Sequence, residues 1–353
     1  MDSEDSSFDS DDVRLGFRFL KAGVHHETRR LRSLDALRGF DMLWIIGLEG
    51  VFRSLAEASD SSIRDAVVVQ LKHVPWAGLR GYDLIFPLFM FLSGVAIPWS
   101  VGNKLERGAA RKGVALGILR RAFLLVLLGM IYNGLLNFQF DKLRVASVLG
   151  QIGVAYAIAA LVWTFVATRS TRVIILVGVM LGVAVLQLLV PVPGHGAGVL
   201  TPEGSINGWI DRHLLSGQLY RKDFDPEGLL CIVSASALTL GGAFAGDYLK
   251  RQAEPHLRTV GLFLGIGAGL ILAGWTCATL GYPSIKSAWT GTFHLYAGGI
   301  SLILLGIFHW LIDFPKRWNW SFPLQVVGMN PLCAKPFAHA YDEEERRFPG
   351  EMP

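Results

Sequence analysis

The sequence predicts an all-α, polytopic membrane protein: a helical bundle of about eight full transmembrane helices plus a truncated ninth, with a cytoplasmic N-terminus. Of its 353 residues, 52% are hydrophobic and only 18% are charged, whereas soluble domains carry about 25% charged residues. The mean hydropathy is +0.41, and long apolar runs alternate with short basic loops. A water-soluble globule of this length cannot bury so much apolar surface, so a soluble enzyme and a disordered chain are excluded.

Eight runs are long and apolar enough to cross a bilayer, which takes about 20 residues of helix. They cover residues 34–56, 82–101, 114–137, 145–167, 172–190, 229–249, 258–280 and 288–312. A ninth run starts near Phe322 but meets Pro331 and Pro336, so it is too short to span as a regular helix. The chain shows neither strand-like alternation nor a long internal repeat, which indicates one helical domain.

Lysine and arginine residues indicate the orientation of these helices. They concentrate before the first run and in every second loop after it. Because cytoplasmic loops carry the excess of positive charge, the N-terminus is predicted to be cytoplasmic, in a multi-pass protein of the cell membrane. Two long loops, residues 57–81 and 191–228, then face the other side. The same distribution explains the net charge of +4 without a nucleic-acid partner.

The chain divides into a membrane domain, residues 29–332, and two polar ends. Residues 1–28 are predicted to be a disordered acidic tail and linker, since residues 1–12 carry six acids and four serines. This acidic start lacks the basic stretch of a cleavable signal peptide. Residues 333–353 are predicted to form a divergent polar tail with an acidic and basic cluster.

The first long outer loop carries a histidine that is a candidate base. His73 is followed by Pro75, Trp76 and Gly78 in a predicted ordered turn, and Asp83 opens the next helix. Histidine is the side chain best suited to accept a proton near neutral pH, and a carboxylate can orient its ring. An aromatic belt with a surface histidine at the membrane interface explains the same residues, so spacing alone leaves both interpretations open.

The second long outer loop adds further candidates. Glycines flank His195, which lets the backbone approach a ligand closely but is equally typical of a flexible linker. The run Asp225-Pro226-Glu227 indicates a helix start. In it, Glu227 either stabilises the positive helix end or faces a cavity.

The first apolar run contains charges that a membrane helix rarely carries. Asp35, Arg38 and Asp41 are spaced three apart, so they share a helix face near the cytoplasmic interface. They either neutralise one another or leave Arg38 to bind an anionic cytoplasmic ligand such as a phosphate. Glu49 lies about 16 Å further along the helix, where an acid faces a cavity or pairs with Arg53.

Polar residues from many runs converge on the outer half of the predicted bundle. They are Asn133, Asn137, Arg144, Lys286 and His294, with Asn330 near mid-membrane. Such convergence indicates an enzyme or a transporter rather than a passive scaffold. No metal is expected, because the chain has no His-Glu-x-x-His motif and its outer histidines are scattered.

Several stretches together resemble one family. They are residues 30–39 (RLRSLDALRG), 73–78 (HVPWAG), 83–89 (DLIFPLF), 93–94 (SG), 143–144 (LR), 153–156 (GVAY), 225–230 (DPEGLL), 286–290 (KSAWT) and 328–330 (GMN). On these motifs the sequence resembles the heparan-α-glucosaminide N-acetyltransferase family of transmembrane acyltransferases, and above all its bacterial-type members. The resemblance covers about residues 29–332, and the stretch from the histidine to Phe-Pro is its most specific part.

The resemblance implies acyl transfer across the membrane, from cytoplasmic acetyl-CoA to an amino sugar or saccharide hydroxyl on the other side. His73 stands at the position of the family's active-site histidine, with Asp83 orienting it. The predicted donor-binding residues are Asp35, Arg38 and Asn330. The predicted saccharide-binding residues are Trp76, Glu49, Arg144, Glu227, Lys286 and Trp289. The expected partners are membrane lipids, an acyl-CoA and a saccharide, with no nucleic acid, and a homodimer is left open.

Two departures from the family keep other functions open. Glu49 stands where the lysosomal family member carries an asparagine, and the polar end after Asn330 replaces further membrane helices. The ninth run is therefore expected to be a truncated or shifted version of those helices. The alternatives are a small-solute or sugar transporter and an inactive membrane protein of the same fold. If the chain is an enzyme, His73 is either a general base or is itself transiently acylated.

Overall fold

The chain is helical throughout the part that the structure describes. The computed structural model describes residues 31–58, 63–252, 254–314 and 320–329, and within these ranges it contains isolated bridges but no strand. Seven helices in the described part are long and apolar enough to cross a membrane. These observations confirm the predicted all-α, multi-pass helical bundle.

The helices of the described residues are numbered in chain order. They are α1 (Arg32–Leu43), α2 (Glu49–Glu57), α3 (Ile63–Gln70), α4 (Gly81–Glu106), α5 (Arg111–Tyr132), α6 (Val148–Phe165), α7 (Arg169–Leu189), α8 (Ile206–Leu214), α9 (Leu229–Lys250), α10 (Leu257–Thr279), α11 (Gly291–Asp313) and α12 (Phe322–Met329). The membrane-length helices are α4 to α7 and α9 to α11, and short 3₁₀ or π-helical turns form part of α4 and α11.

The first predicted span, residues 34–56, is interrupted. A π-helical turn, Trp44–Leu48, joins α1 to α2, and inside it Gly47 has a φ of 142°. Only glycine adopts this backbone conformation without strain, so a kink separates the two helices. The described residues thus contain seven continuous membrane-length helices where the sequence predicted about eight, because Gly47 divides the first.

α9 stands at the centre of the bundle, packed against α4, α6 and α11. Small residues let the backbones approach: a Cβ atom added to Gly94 of α4 would lie 1.8 Å from the carbonyl oxygen of Thr239 in α9. Close approach through glycine is typical of helix packing in membranes. α7 lies at the periphery, and in this helix, which is described in full, the buried side chains are Val183 and Gln187.

The predicted ninth helix begins as α12, which packs along α1. A Cβ atom added to Gly39 would lie 1.8 Å from the carbonyl oxygen of Leu324, and one added to Gly328 would lie 1.9 Å from that of Asp35. The two backbones therefore touch through glycines on both helices.

The predicted polar ends, residues 1–28 and 333–353, lie outside the described residues, and so does Asn330.

Candidate active site

Three loops meet at one end of the bundle and carry the candidate site. They are residues 71–80 before α4, residues 217–228 before α9 and residues 281–290 before α11. Each of these loops leads into a helix that starts at this end. Residues that are far apart in the sequence are therefore brought together here.

Backbone contacts hold the first and third of these loops side by side. An isolated antiparallel bridge joins Ala77 to Ile285, and the amide of Gly78 donates to the carbonyl oxygen of Ser284 at 2.8 Å. Gly78 has a φ of 127°, which favours glycine at this position. The turn with His73 is thus attached to the turn with Lys286.

Asp83 anchors the site from the start of α4. It is 2% exposed, and its carboxylate accepts from Nδ1 of His73 at 2.7 Å. The backbone amides of Val74 and Arg80 donate to its second oxygen at 3.3 and 3.1 Å. Nζ of Lys286 donates to its first oxygen at 3.4 Å. These donors offset the desolvation of a buried charge.

His73 is held by this anchor and faces solvent. Because Nδ1 lies 2.7 Å from a carboxylate oxygen, we assign the ring proton to Nδ1, which leaves Nε2 as the acceptor. The side chain is 55% exposed, and its ring packs against that of Tyr82 with 4.7 Å between the centroids. A histidine fixed through one nitrogen and exposed to solvent is arranged to accept a proton.

Lys286 brings a positive charge to the same pair. Its Nζ lies 3.1 Å from Nδ1 of His73 and 3.4 Å from Oδ1 of Asp83. Burial lowers the pKa of Lys286, although the charge of Asp83 opposes this shift. With the ring proton on Nδ1, the ammonium bonds to the carboxylate of Asp83.

A second charged cluster lies in the loop before α9. Arg144 donates from Nε and Nη2 to the two oxygens of Asp225, at 2.7 and 2.6 Å, and Nη2 also bonds to Glu227. The exposed ring of Tyr220 lies 4.7 Å from the guanidinium carbon. Nδ2 of Asn133 donates to the carbonyl oxygen of Arg144 at 2.9 Å, so the arginine is held at its backbone as well.

Burial and charge set the protonation of this cluster. Burial raises the pKa of Glu227 to about 7, with the charge of Arg144 opposing the shift. Asp225 is also buried, but hydrogen bonds and charge from Arg144 outweigh burial and lower its pKa below the usual range. Burial raises the pKa of Asp211, whose carboxylate accepts from the amides of Asp225 and Leu229, to about 6. Glu227 therefore exchanges a proton near neutral pH.

Trp76 lies between the two clusters. Its Nε1 donates to the carbonyl oxygen of Leu200 at 2.7 Å, and its ring meets that of Phe224 edge-on at 4.8 Å. Phe224 precedes Asp225 directly, so this indole connects the His73 turn to the second outer loop. The charge of Glu227 also acts on Lys286, so the two clusters share one electrostatic environment.

Two predicted saccharide-binding residues, Trp289 and Glu49, have side chains that pack or pair with residues outside the two charged clusters. Trp289 is 2% exposed and packs edge-on against Phe86 and Phe293 in the core. Glu49 is buried and pairs with Arg53 at 3.4 Å, which is the pairing that the sequence offered as the alternative. Contact of either residue with a substrate stays a prediction.

Two of the three predicted donor-binding residues, Asp35 and Arg38, lie on α1. Nη1 of Arg38 is 3.7 Å from Oδ1 of Asp35, and Nη2 donates to the carbonyl oxygen of Leu92 at 3.4 Å. The predicted pairing is therefore present between Arg38 and Asp35, whereas the two buried carboxylate oxygens of Asp41 have no hydrogen-bond partner among the described residues. Asn330, the third of these residues, lies outside the described part of the chain.

Polar residues behind the Lys286 turn were missed from the sequence. Gln187, Asn207 and Tyr282 form a buried hydrogen-bond network against the carbonyl oxygen of Ala288. The sequence did contain a signal for this network. In the apolar run 172–190, Gln187 is the one polar residue that follows Arg172. An amide inside a membrane helix indicates an interhelical partner.

The fold and this site define a polytopic membrane protein with an exposed histidine, a buried carboxylate and a lysine at one end of its bundle. Among the described residues, no group of three or more His, Cys, Asp or Glu side chains is placed to hold a metal ion.

Comparison with known proteins finds distant similarity to curated N-acetyltransferases. The heparan-alpha-glucosaminide N-acetyltransferase of Homo sapiens is 26% identical over 362 residues, which cover 86% of this chain and 52% of that protein. The protein of the same name from Mus musculus is 26% identical over 374 residues, covering 89% and 54%. No family model matches the chain. The chain is thus distantly similar to two heparan-alpha-glucosaminide N-acetyltransferases, and it spans about half the length of the curated relatives it matches.

Proposed function

We propose that this protein transfers an acetyl group from acetyl-CoA to the amino group of a saccharide, with His73 as the general base. The observation that supports the proposal most is the pairing of His73 with Asp83, in which the ring is 55% exposed and Nδ1 lies 2.7 Å from a buried carboxylate. The names of the curated relatives supply the reaction class. His73 and Asp83 provide the base and the orienting carboxylate that such a reaction needs.

The proposed reaction moves one proton from nitrogen to sulfur. Nε2 of His73 accepts a proton from the acceptor nitrogen as this nitrogen bonds to the carbonyl carbon of the acetyl group. The carbon–sulfur bond breaks, and the sulfur leaves with the electron pair. The imidazolium then returns its proton to that sulfur, which yields an N-acetyl sugar and the free thiol of CoA. Asp83 stabilises the imidazolium between the two steps.

The acceptor is proposed to approach across the second cluster. The carboxylates of Asp225 and Glu227 attract an acceptor that arrives as an ammonium ion. With a pKa of about 7, Glu227 can take up the proton that such an acceptor releases before the reaction. The exposed ring of Tyr220 and the half-buried ring of Trp76 offer apolar faces for a sugar ring beside these carboxylates.

The donor is proposed to enter from the cytoplasmic end of α1. CoA carries several phosphate charges, and arginine is always charged and binds phosphate with two parallel hydrogen bonds. Arg38 supplies this group on α1, in the half that the distribution of basic residues predicts to lie near the cytoplasm. The acetyl group would then cross the bundle to reach His73, in a protein of the cell membrane.

The direct test is the His73→Ala variant, purified and supplied with labelled acetyl-CoA and a panel of amino sugars. Release of CoA together with an acetylated sugar should fall by about 10²-fold or more, the usual scale for loss of a general base. His195→Ala is the matched control, since His195 is an exposed histidine of the other outer loop. It should change turnover far less. A His73 variant with normal turnover would refute the assignment, and uptake of sugar without a product would indicate a transporter.

Two-substrate kinetics separate the two proposed roles of His73. A general base acts in a ternary complex and gives intersecting double-reciprocal plots. An acylated histidine gives the parallel plots of a ping-pong reaction and a trapped acetyl-histidine.

A further inference from the structure

Gln187 is a buried polar residue on α7, a helix whose other side chains, apart from Val183, are exposed or half-buried. It is 1% exposed, whereas Leu181, Val185 and Leu189 of the same helix are exposed by 50% or more. Polar side chains within a membrane helix are costly and usually bond to another element. The bonding partners of this amide therefore indicate its role.

The side-chain amide of Gln187 bonds to three different elements. Nε2 donates to Oδ1 of Asn207 in α8 at 2.9 Å and to the carbonyl oxygen of Ala288 at 2.8 Å. Oε1 accepts from the hydroxyl of Tyr282 at 2.5 Å, and this hydroxyl accepts from the amide of Gly291 at 2.9 Å. Both donors and the acceptor of the amide are thus in use, in a buried network with satisfied members.

The backbone that this network holds is the turn Lys286–Ala288. Three successive carbonyl oxygens of the turn and the residue after it accept side-chain bonds from the bundle. The oxygen of Ser287 accepts from Cys231 at 3.4 Å, that of Ala288 from Gln187 and Asn207, and that of Trp289 from Ser234 at 2.7 Å. The turn is therefore held by side chains of three helices, α7, α8 and α9.

We propose that Gln187 is a positioning residue for the transfer reaction, which holds the Lys286 turn so that the ammonium group stays beside His73 and Asp83. The inference rests on the proposed function for its catalytic meaning. The ammonium lies 3.1 Å from Nδ1 of His73 and 3.4 Å from Oδ1 of Asp83, and Ala288 is two residues from Lys286. A long, flexible lysine reaches toward water unless its backbone is fixed, so the position of the turn decides where the charge lies.

A measurable consequence is the protonation of His73. The charged and titratable groups around this ring are Asp83, Lys286, the hydroxyl-bearing ring of Tyr82 and the guanidinium of Arg80, which donates to the carbonyl oxygen of His73 at 2.9 Å. A nearby ammonium disfavours the imidazolium. Moving it into solvent should therefore change the pH dependence with which the ring reacts, toward higher pH.

The experiment follows the reaction of His73 with diethyl pyrocarbonate, which modifies neutral imidazole, as a function of pH. The modified peptide is quantified by mass spectrometry in the full-length protein, so that the readout needs no turnover. Gln187→Leu and Lys286→Met should each move the midpoint of the reaction to higher pH. Their combination should move it no further than Lys286→Met does alone.

A matched control removes a polar group from another membrane helix. Thr276 is exposed on α10 and donates to the carbonyl oxygen of Leu272 in its own helix at 2.9 Å. Thr276→Val should leave the midpoint unchanged. If Gln187→Leu fails to fold, Gln187→Asn provides the test, because it keeps the amide but is one methylene too short to reach Ala288.

The outcomes separate this inference from the proposed function. A folded Gln187 variant with an unchanged midpoint, or shifts that simply add in the double variant, would overturn the positioning role. CoA release in the same variants tests the reaction: the effect should fall on kcat while KM for acetyl-CoA is retained, since Gln187 is buried away from the surface where substrates bind. Coupled midpoint shifts without any CoA release would refute the reaction and leave the positioning contact standing.

Discussion

Replacing Asp83 by asparagine keeps the shape of the side chain and removes its charge. Nδ1 of His73 lies 2.7 Å from the negative Oδ1 of Asp83 and 3.1 Å from the positive Nζ of Lys286. In the native protein these two charges nearly cancel at the ring. In the variant, the repulsion from Lys286 acts alone on the imidazolium that forms during transfer.

Coulomb's law gives the magnitude from these distances. At an effective dielectric constant of about 20, unit charges 2.7 Å apart attract by about 6 kcal/mol, and those 3.1 Å apart repel by about 5 kcal/mol. Because 55% of the His73 side chain is exposed, solvent screens the ring and we take about half of the attraction. A loss of about 3 kcal/mol in the transition state predicts a fall of roughly 10²-fold in kcat/KM.

The assay is CoA release with a saturating amino sugar, on detergent-purified protein whose melting temperature is measured alongside. The double variant Asp83→Asn with Lys286→Met should have a kcat/KM about tenfold or more above that of Asp83→Asn alone, because the unopposed ammonium is then absent. Full activity in Asp83→Asn would refute the role of the carboxylate. A double variant no better than Asp83→Asn would refute the argument from opposing charges.

Three further predictions concern packing, pH and orientation. Gly39→Ala should destabilise the protein by about 2 kcal/mol, because the added methyl group clashes with the backbone of α12, and its melting temperature should fall. The control is Gly117→Ala, which should be neutral or stabilising because nothing lies within 4 Å of the new Cβ atom. Burial raises the pKa of Glu227 from 4.5 to about 7, so its contribution to stability is complete below pH 4.5 and is lost as pH rises through 7. The melting temperature of Glu227→Gln should therefore fall less between about pH 5 and about pH 8 than that of the native protein; an equal fall would contradict the shift. In a background without the native cysteines, a cysteine at exposed Ser216 should react with an impermeant thiol reagent in intact cells and one at exposed Ser170 should not; the reverse pattern would invert the proposed orientation.

Membrane spans could be predicted from the sequence because their cause is local. A bilayer requires about 20 consecutive apolar residues, and such a run is visible without knowledge of any contact. The interruption of the first run could not be predicted in the same way. Gly47 is one of several glycines in that run, and glycine is common in membrane helices, so its presence does not reveal that it will adopt a φ of 142°.

Part of the candidate site could also be predicted, because some of its contacts join residues that are close in the sequence. His73 and Asp83 are ten residues apart, on either side of one turn, and the pairing of Glu49 with Arg53 follows from helical spacing. The resemblance places Trp289 among the saccharide-binding residues. In the structure this residue is 2% exposed and packs in the core, and its contact with a substrate stays a prediction.

By itself, the sequence determined that this is a helical membrane protein, where most of its spans lie and which histidine to test, because apolar length and motif residues are properties of short segments. Only the tertiary structure decided that Lys286 meets His73 across 213 positions and that Arg144 meets Asp225 across 81. It also decided that Gln187 holds Ala288 across 101 positions. These contacts depend on which helix ends lie on the same side of the bundle and on how closely the helices pack. Neither property produces a periodic pattern of residues along the sequence.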